Sequence, residues 1–415
     1  MANTSAEIET DYHLQTRRSA IVLEEPEPAD YLVLGDFGGS AITENPPLID
    51  RDNFDPVLAK FGLSLAGAAF RELEDFHPDR LYQRLDWFRE FRAESQPPAA
   101  REHSTPKADL SELLQSSSLL DQIAGGGDPF DRYVKELASA HAAQPNKPID
   151  EAQQNRLAET MRAVLHHPRF QTLEANWRGL NFAVRSLEGE AEHLTRIRVA
   201  HLLKTAALAD LNEAASLRET RLFQLLKQRR YRAVFGLYSF GADSQDSEFL
   251  GRMALLSSNT NSVFIAEGSM DMGANWDELR AIPEAAHVGL ALPRFLLRLP
   301  YGRDTRPIDS FPFEEMPAEP VHAHYLWGPA SLACLPLLVN EPIKDELELD
   351  DLPLHTYKAD SAWKMTPAAE LWMTEAEVSA LVELGLMPLV SDQDTGRVRL
   401  SGFRAINGKA LRLRA

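Results

Sequence analysis

The stretch that decides the fold is residues 231–268, YRAVFGLYSFGADSQDSEFLGRMALLSSNTNSVFIAEG. Its two ends, 231–240 and 262–268, are short apolar runs typical of buried strands, whereas 247–261 has the apolar spacing of a helix. A strand–helix–strand order predicts two parallel strands in one sheet, with the helix crossing one face. This unit therefore predicts an α/β fold.

The same alternation extends in both directions along the chain. Residues 31–37 and 194–202 are predicted strands, and residues 371–390 read as a helix that ends at Gly385 and leads into a strand. The acidic stretch 341–351 is predicted to be a solvated loop. The most regular helical pattern lies in 168–187, where apolar side chains recur at spacings of three and four residues: Phe170, Leu173, Trp177, Leu180, Val184 and Leu187.

Changes in composition divide the chain into three parts. Residues 93–107, AESQPPAAREHSTPK, contain three prolines and no apolar period, which is typical of a linker. We therefore predict a small N-terminal α/β unit (1–93), a Pro-rich linker (94–116) and a larger domain (117–415). The larger domain is expected to be three-layer-like, with a mostly parallel or mixed sheet flanked by helices.

The charge balance excludes some classes of partner. The net charge is −19, from 62 acidic and 43 basic residues, which argues against binding to nucleic acid or to an anionic membrane surface. No apolar run is long enough to cross a bilayer, and the N-terminus lacks the apolar core of a signal peptide. The single cysteine, Cys334, builds neither a disulfide framework nor a Cys-based zinc site. We expect a cytoplasmic protein without membrane insertion.

Motifs of catalysis are missing from the sequence. Residues 34–40, LGDFGGS, contain the Asp-Phe-Gly of a kinase metal site, but the strand lysine and His-Arg-Asp loop that a kinase also needs are absent. The chain has no G-x-G-x-x-G, P-loop, H-E-x-x-H or G-x-S-x-G pattern either. We interpret 34–40 as a strand that runs into a glycine turn, and we expect no enzymatic activity and no cofactor.

Two pairs of polar residues leave alternatives open. His322 and His324 have the spacing of a metal pair if they lie on one face of a strand, but no nearby cluster of acids or cysteines completes a site, so we predict no metal. Arg294 and Arg298 stand in an apolar run. They are interpreted either as side chains that snorkel to the surface or form structural ion pairs, or as a clamp for a phosphate or carboxylate ligand.

Two long phrases carry a family resemblance. VLHHPRFQTLEANWRGLNFAVRS (164–186) and VGLALPRFLLRLPYG (288–302) closely resemble the large subunit, TssC, of the contractile sheath of bacterial type VI secretion systems, and the likeness extends over about 117–390. The motif residues with an expected structural role are His167, Pro168, Phe170, Trp177, Arg178, Gly179, Pro293, Arg294, Arg298, Pro300, Tyr301 and Gly302.

The N-terminal segment has a resemblance of its own. LVLGDFGG, IDRDNFDPVLAKFG and LEDFHPDRLYQRL are similar to the small sheath subunit, TssB. The chain thus looks like a small-subunit-like segment fused to a large-subunit-like segment, and the predicted linker falls at the junction. The family's large subunit continues well beyond the equivalent of residue 390, so the resemblance also implies a C-terminal truncation.

The resemblance implies a structural role without covalent chemistry. We expect a sheath-like accessory protein that caps, initiates or docks the sheath, with sheath subunits, baseplate components or the sheath end as partners. A self-assembling, fused sheath subunit is the alternative, and an α/β enzyme is a remote one. In the family, a helix near the start of the large subunit is recognised by the ClpV unfoldase. Leu119, Leu120 and Ile123 occupy the equivalent place, where they either bind the unfoldase or pack on the next domain.

Overall fold

The computed structural model describes residues 27–94, 151–271, 276–340 and 347–413. Within these ranges, helices alternate with strands, and no helix is long and apolar enough to span a membrane. The strands are β1 Ala29–Gly35, β2 Leu48–Ile49, β3 Ser64–Leu65, β4 Ala68–Ala69, β5 Thr195–His201, β6 Tyr231–Phe240, β7 Val263–Gly268, β8 Val288–Leu292, β9 Phe295–Leu296, β10 Trp327–Gly328, β11 Leu347–Leu349, β12 His355–Ala359, β13 Ala362–Thr366, β14 Met387–Ser391 and β15 Val398–Leu400.

The α-helices of the same ranges are α1 Phe54–Lys60, α2 Pro78–Arg84, α3 Arg89–Glu94, α4 Glu151–Leu165, α5 Pro168–Arg185, α6 Gly189–His193, α7 Lys204–Glu213, α8 Arg221–Lys227, α9 Ser244–Thr260, α10 Trp276–Ala281, α11 Ala330–Asn340 and α12 Glu375–Glu383. The predicted strand–helix–strand unit at 231–268 is confirmed as β6, α9 and β7. Asp243 begins α9 by accepting a hydrogen bond from the backbone N–H of Gln245, and Asn261 ends it in the left-handed conformation.

One nine-stranded sheet organises the molecule, in the order β11-β15-β14-β8-β7-β6-β1-β5-β2. Its six central strands, from β14 to β5, are parallel. The outer strands β15, β11 and β2 pair antiparallel with their neighbours. This confirms the predicted α/β class, because parallel neighbours need a crossover segment between them and the helices supply most of it.

Strand β1 comes from the N-terminal segment and lies inside the sheet. It pairs with β5 along its whole length on one side and with β6 on the other. Tyr31 and Val33 point into the hydrophobic cluster on one face, and Leu32 and Leu34 point into the cluster on the opposite face. The predicted division of the chain near residue 93 stays a prediction. In the described fold, residues from both sides of that division share one sheet and one hydrophobic core.

Helices cover both faces of the sheet. The first layer contains α4, α5 and α11 together with α1 and α2 of the N-terminal segment. The second layer contains α7, α8, α9 and α10, with Leu381 of α12 at its edge. Burial of the parallel strands on both faces explains why their sequences are continuous apolar runs rather than alternating patterns.

Two local predictions are confirmed, one conditional placement is not observed, and one prediction is wrong. Gly38 and Gly385 have φ angles of 77° and 79°, as the predicted turn after β1 and the predicted end of α12 require. His322 and His324 do not lie on a strand: they belong to a short 3₁₀ helix that follows the extended residue Val321 and closes with a hydrogen bond from the backbone N–H of Tyr325 to the His322 carbonyl. The predicted loop at 341–351 contains β11, which pairs with β15 through Leu347–Leu349.

Candidate functional site: the motif junction

The two long motifs meet at the start of α5. His167 begins the helix: its Nδ1 accepts a hydrogen bond from the backbone N–H of Arg169, and Pro168 occupies the first turn, where no donor is needed. Phe170 is fully buried and packs against Phe76 of the N-terminal segment, with ring centroids 5.7 Å apart. The first turn of α5 is therefore fixed by its own cap and by a contact across the chain.

One turn further, α5 supplies a buried carboxylate. Glu174 has no exposed surface, and its Oε1 accepts hydrogen bonds from Nε of Arg178 at 2.7 Å and Nε of Arg298 at 2.9 Å. Arg298 also donates to both carboxylate oxygens of Glu315, at 2.8 and 3.1 Å. We call Glu174, Arg178, Arg298 and Glu315 the charge cluster; it holds two acids and two bases, so its charges balance.

Tyr301 closes the charge cluster from the second motif. Its backbone N–H donates to Glu315 at 2.7 Å, and its hydroxyl accepts a hydrogen bond from Arg178 at 3.3 Å. The guanidinium of Arg298 lies 4.4 Å from the centre of the Tyr301 ring, at cation–π distance. Pro300 and Gly302, which flank Tyr301, hold the turn through Thr305, whose hydroxyl donates to the Pro300 carbonyl at 2.6 Å.

Contacts within the charge cluster shift the pKa values of Glu315 and Arg298. Burial alone would raise the pKa of Glu315, but Arg298 and the hydrogen bonds that the carboxylate accepts lower it to about 2. Burial would lower the pKa of Arg298, but Glu174 and Glu315 raise it well above its usual value. The shifted pKa values of Glu315 and Arg298 therefore favour the charged form of both side chains, which suits a structural ion pair.

A pair of stacked histidines borders the charge cluster. The rings of His166 and His324 are 3.8 Å apart and nearly parallel, and Nε2 of His166 lies 3.6 Å from Oε1 of Glu315. Burial and the neighbouring His166 lower the pKa of His324. His322 instead faces Glu370, 3.4 Å away, so His322 and His324 have different partners. In the described residues, no group of three histidine, cysteine or acidic side chains could hold a metal ion.

Aromatic packing joins α5 to the N-terminal segment. Trp177 is fully buried, and the rings of Phe37, Phe54 and Phe61 surround it at centroid distances of 4.8, 5.9 and 5.3 Å. All three phenylalanines belong to the N-terminal segment. Gly179 provides the close approach on the other side of the helix, because a Cβ there would lie 2.7 Å from Cδ1 of Leu332 in α11.

Polar contacts reinforce the same junction. Arg51 donates to the carbonyls of Arg185 and Leu187 at the C-terminal end of α5, where a cation also suits the helix dipole. Asp79 accepts hydrogen bonds from the backbone N–H groups of Asp309 and Ser310, at 3.1 and 2.8 Å. The N-terminal segment is thus hydrogen-bonded to the end of the first motif and to the loop that follows the second motif.

Arg294 pairs with a different carboxylate. It follows the cis peptide bond between Leu292 and Pro293 and makes a bidentate ion pair with Glu370, at 2.9 and 2.5 Å. Beside it, burial raises the pKa of Glu267, which lines a polar cavity of about 340 Å³ at the carboxyl ends of β6 and β7. Both Arg294 and Arg298 thus make ion pairs with acidic side chains in the described fold, and Arg294 also lines this cavity.

The structure brings together most of the motif residues and adds partners that the sequence did not single out. Glu174, Glu315, Asp79 and the three phenylalanines around Trp177 were missed. Glu174 carried a signal, because a carboxylate between the buried positions 173 and 177 requires an internal partner. Leu119, Leu120 and Ile123, the candidate unfoldase segment, lie outside the described residues.

Comparison with known proteins identifies the architecture. A family model described as VipB (EvpB/VC_A0108, tail sheath N-terminal domain) matches residues 147–273 and 268–407. The type VI secretion system sheath protein TssC1 of Pseudomonas aeruginosa is 26% identical over 320 residues, which cover 66% of this chain and 64% of the relative. The chain thus spans slightly less than two thirds of that relative's length. Through the match over more than half of its residues, the chain belongs to the VipB family of tail sheath proteins.

Proposed function

We propose that this chain is a cytoplasmic, non-enzymatic protein of the type VI contractile apparatus, in which residues 27–94 act as a built-in small sheath subunit. The observation that carries the proposal is the position of β1. The family match begins at residue 147, and β5 and β6, which both lie inside it, are connected in the sheet only through β1. The N-terminal segment fills that position in cis.

The contacts of the junction support a permanent arrangement. Trp177 and its three phenylalanines bury large aromatic side chains across the two segments, and aromatic rings are the strongest apolar contributors at interfaces. Arg51 and Asp79 add hydrogen bonds to backbone groups of the family-matched part. A separate small subunit could not insert a strand between β5 and β6, because β1 of the same chain already occupies that place.

We further propose that the protein caps, initiates or docks the sheath instead of repeating along it. Among the described strands, the two ends of the sheet are short: β2 has two residues and follows Pro46 and Pro47, and β11 has three residues, including the exposed Glu348. Proline and charge at an edge disfavour pairing with a strand from another chain. These edges suit the end of an assembly better than its interior.

The experiment is expression of the full chain with the two ordinary sheath subunits, followed by electron microscopy with a label on this chain. We expect label at one end of the tubes. Label along the whole tube would contradict the accessory role, and absence of label from tubes would contradict any stable association. A Phe37→Ala, Phe54→Ala double variant should reduce end labelling, whereas Leu255→Ala, on the distant helix α9, should not.

Self-assembly is the second candidate, and one observation favours it. Trp363 in the β12–β13 hairpin is 76% exposed, although tryptophan is normally buried or engaged in an interface. If the hairpin joins copies of this chain, the purified protein should form tubes or rings that Trp363→Ala abolishes. A monomer in light scattering at high concentration would exclude self-assembly and leave the accessory role.

A further inference from the structure

Positive charge gathers at one end of the sheet, although the chain as a whole has a net charge of −19. Helix α8 ends at Lys227, and a short turn then leads through Arg229 and Arg230 into β6. These three side chains are exposed, and none of them makes an ion pair within the described residues. The turn before β6 therefore presents uncompensated cations to solvent.

Two further arginines lie close to this turn, on a neighbouring strand. The strand order β6-β1-β5 and its register place Tyr231, Asp30 and Arg196 in one row across the amino ends of the three strands. Arg198 lies two residues after Arg196 in β5, so both side chains point to the same face of the sheet. We call this group of five cations the basic edge: Arg196, Arg198, Lys227, Arg229 and Arg230.

Asp30 lies within the basic edge, but both of its carboxylate oxygens are already engaged. Asp30 is 8% exposed, its Oδ1 accepts a hydrogen bond from Nε of Arg198 at 3.0 Å, and its Oδ2 lies 3.0 Å from Nη2 of Arg196. The exposed acids Glu27 and Glu44, in adjoining segments, make no ion pair within the described residues. Most of the positive charge of the basic edge is therefore uncompensated.

A buried hydroxyl lies at the same end of the sheet. Tyr231 is 2% exposed, and its hydroxyl has no hydrogen-bond partner among the described residues. Burial raises the pKa of this hydroxyl, and the guanidinium groups of Arg198 and Arg229 oppose that rise, which places both cations near the phenol oxygen. Nε of Arg196 is another buried donor without a partner in this part of the fold. Donors thus exceed acceptors here, an imbalance that an acceptor-rich ligand would correct.

The residue types of the basic edge favour a carboxylate-bearing ligand. Four of its five cations are arginines, whose forked guanidinium binds a carboxylate or a phosphate through two parallel hydrogen bonds. A nucleic acid or an anionic membrane would bring extended arrays of phosphates against a chain of net charge −19, whose other acids would repel them. A short acidic peptide contacts the basic edge alone, because charges more than about 8 Å away are screened at physiological ionic strength.

We propose that the basic edge is a docking surface for an acidic segment, rich in Glu or Asp, of a partner protein. This inference rests on the proposed function in one respect, since it takes the partner to be another protein of the contractile apparatus. Arg229 and Arg230 bind the carboxylates of the partner. Arg196 and Arg198 stay paired with Asp30 and add positive potential behind them.

Fluorescence anisotropy with the purified full chain tests this surface, with a labelled oligoglutamate peptide as the probe. The test variant is Arg229→Glu, Arg230→Glu, and the matched control is Arg303→Glu, Lys409→Glu. Each replaces two exposed cations by acids, so the net charge of the chain changes equally. We expect the test variant to bind the peptide at least about ten times more weakly than the wild type, and the control to bind it within about twofold of the wild type. Circular dichroism checks that both variants keep the fold.

Two results of this titration would overturn the proposal. Equal losses of affinity in the test variant and the control would show that net charge, and not the basic edge, governs binding. Absence of peptide binding to the wild type would exclude an acidic segment as the ligand. A single-stranded oligonucleotide with as many charges as the peptide is the second probe, and phosphatidylglycerol vesicles are the third. Tighter binding of either one, lost in the Arg229→Glu, Arg230→Glu variant, would assign the surface to phosphates instead.

Labelled tubes in electron microscopy separate this inference from the proposed function. Loss of the end label in the test variant, with its retention in the control, would support docking through the basic edge. A label that persists in the test variant would overturn the docking role and leave the proposed function standing. An unlabelled tube with the wild type, together with peptide binding that depends on Arg229 and Arg230, would contradict the proposed function and still support a site for an acidic segment.

Discussion

At the scale of single residues, Arg298 is the most constrained side chain of the motif junction. It is 4% exposed and lies between two carboxylates, Glu174 and Glu315, that are equally buried. A buried ion pair contributes little net stability compared with apolar residues of the same size, but removal of one partner leaves an unpaired buried charge. Loss of Arg298 alone should therefore destabilise the fold more than replacement of all these charges by apolar residues, because Glu174 and Glu315 would stay buried without a partner.

Replacement of Arg298 by methionine is expected to lower the free energy of unfolding by about 3–5 kcal/mol, because Glu174 and Glu315 would remain buried without their shared partner. Urea denaturation followed by fluorescence measures the change. Arg303→Met, at an arginine whose side chain is 83% exposed, is the control and should change stability by less than about 0.5 kcal/mol. Similar effects of the two substitutions would show that the charge cluster does not hold the junction.

The acid sensitivity of the protein should depend on Glu315. Its pKa in the folded state, about 2, lies below the ordinary value of 4.5, so its contribution to stability is complete above about pH 4.5 and is lost as the pH falls towards 2. Between about pH 7 and about pH 3, we expect the wild type to lose about 2 kcal/mol more than Glu315→Gln. Thermal unfolding across this range measures the difference, and parallel curves for the two proteins would contradict the assignment.

For the ion pairs Arg294–Glu370 and Arg298–Glu315, the sequence singled out the arginine but not the glutamate. Arg294 and Arg298 were recognisable because a charge within an apolar run must be compensated. Their partners Glu370 and Glu315 lie in irregular segments 76 and 17 residues away, where no periodicity distinguishes a buried acid from a solvated one. Only contact in three dimensions separates these two from the other acidic residues.

At the scale of secondary-structure elements, the contact between α5 and α11 depends on Gly179. In a helix interior, alanine is favoured over glycine by about 1 kcal/mol, but here the new methyl group would lie 2.7 Å from the fully buried Leu332. Crowding of a packed core costs about 1–3 kcal/mol, and because Leu332 is fully buried we expect this cost to exceed the gain in helix propensity.

Gly179→Ala is accordingly expected to destabilise the protein by up to about 2 kcal/mol, as measured by chemical denaturation. Gly251→Ala is the matched control within α9, since its methyl group would meet Leu279 at 3.6 Å, an ordinary contact distance. That control should stabilise the protein by up to about 1 kcal/mol. A stabilising Gly179→Ala would mean that α5 and α11 can move apart at this point.

Elements with strong local signals were predictable, and those defined by long-range pairing were not. Strand β6 was predicted with its observed bounds because it is a continuous apolar run, and α12 because a glycine ends it. Strand β11 was missed because it has only three residues and follows an acidic stretch. Its partner strand, β15, lies about 50 residues further along the chain. The 3₁₀ turn at His322–His324 lacks any period that distinguishes it from a strand.

At the scale of the whole molecule, the decisive feature is the insertion of β1 between β5 and β6. The sequence predicted the strand itself and a boundary near residue 93, but not its neighbours, because the pairing partners lie more than 150 residues away. A parallel strand in the interior of a sheet has hydrogen bonds on both sides and side chains on both faces. Its removal would expose two strand edges and both hydrophobic clusters.

This arrangement predicts that the two segments remain associated after the connection between them is cut. A specific protease site inserted between Ala100 and Arg101 allows cleavage of the folded full chain. We expect both fragments to co-elute in size-exclusion chromatography with an unchanged circular dichroism spectrum, because β1 and the aromatic contacts of Trp177 hold them together. Separate elution of a folded C-terminal fragment would show that the family-matched part does not require the N-terminal strand.

The same cleavage experiment, carried out on a Trp177 variant, tests whether the aromatic contacts of Trp177 hold the two segments together. Truncation of a buried tryptophan costs about 3–5 kcal/mol, so Trp177→Ala should cause the cleaved fragments to separate at a much lower urea concentration than in the parent protein. Trp363→Ala removes an exposed tryptophan and should leave the dissociation midpoint unchanged. Dissociation is concentration-dependent only after cleavage, so dilution of the cleaved protein distinguishes weakened association from general loss of stability. If Trp177→Ala and Trp363→Ala dissociate alike, the aromatic cluster does not join the segments, and the role of the N-terminal segment as a built-in subunit rests on β1 alone.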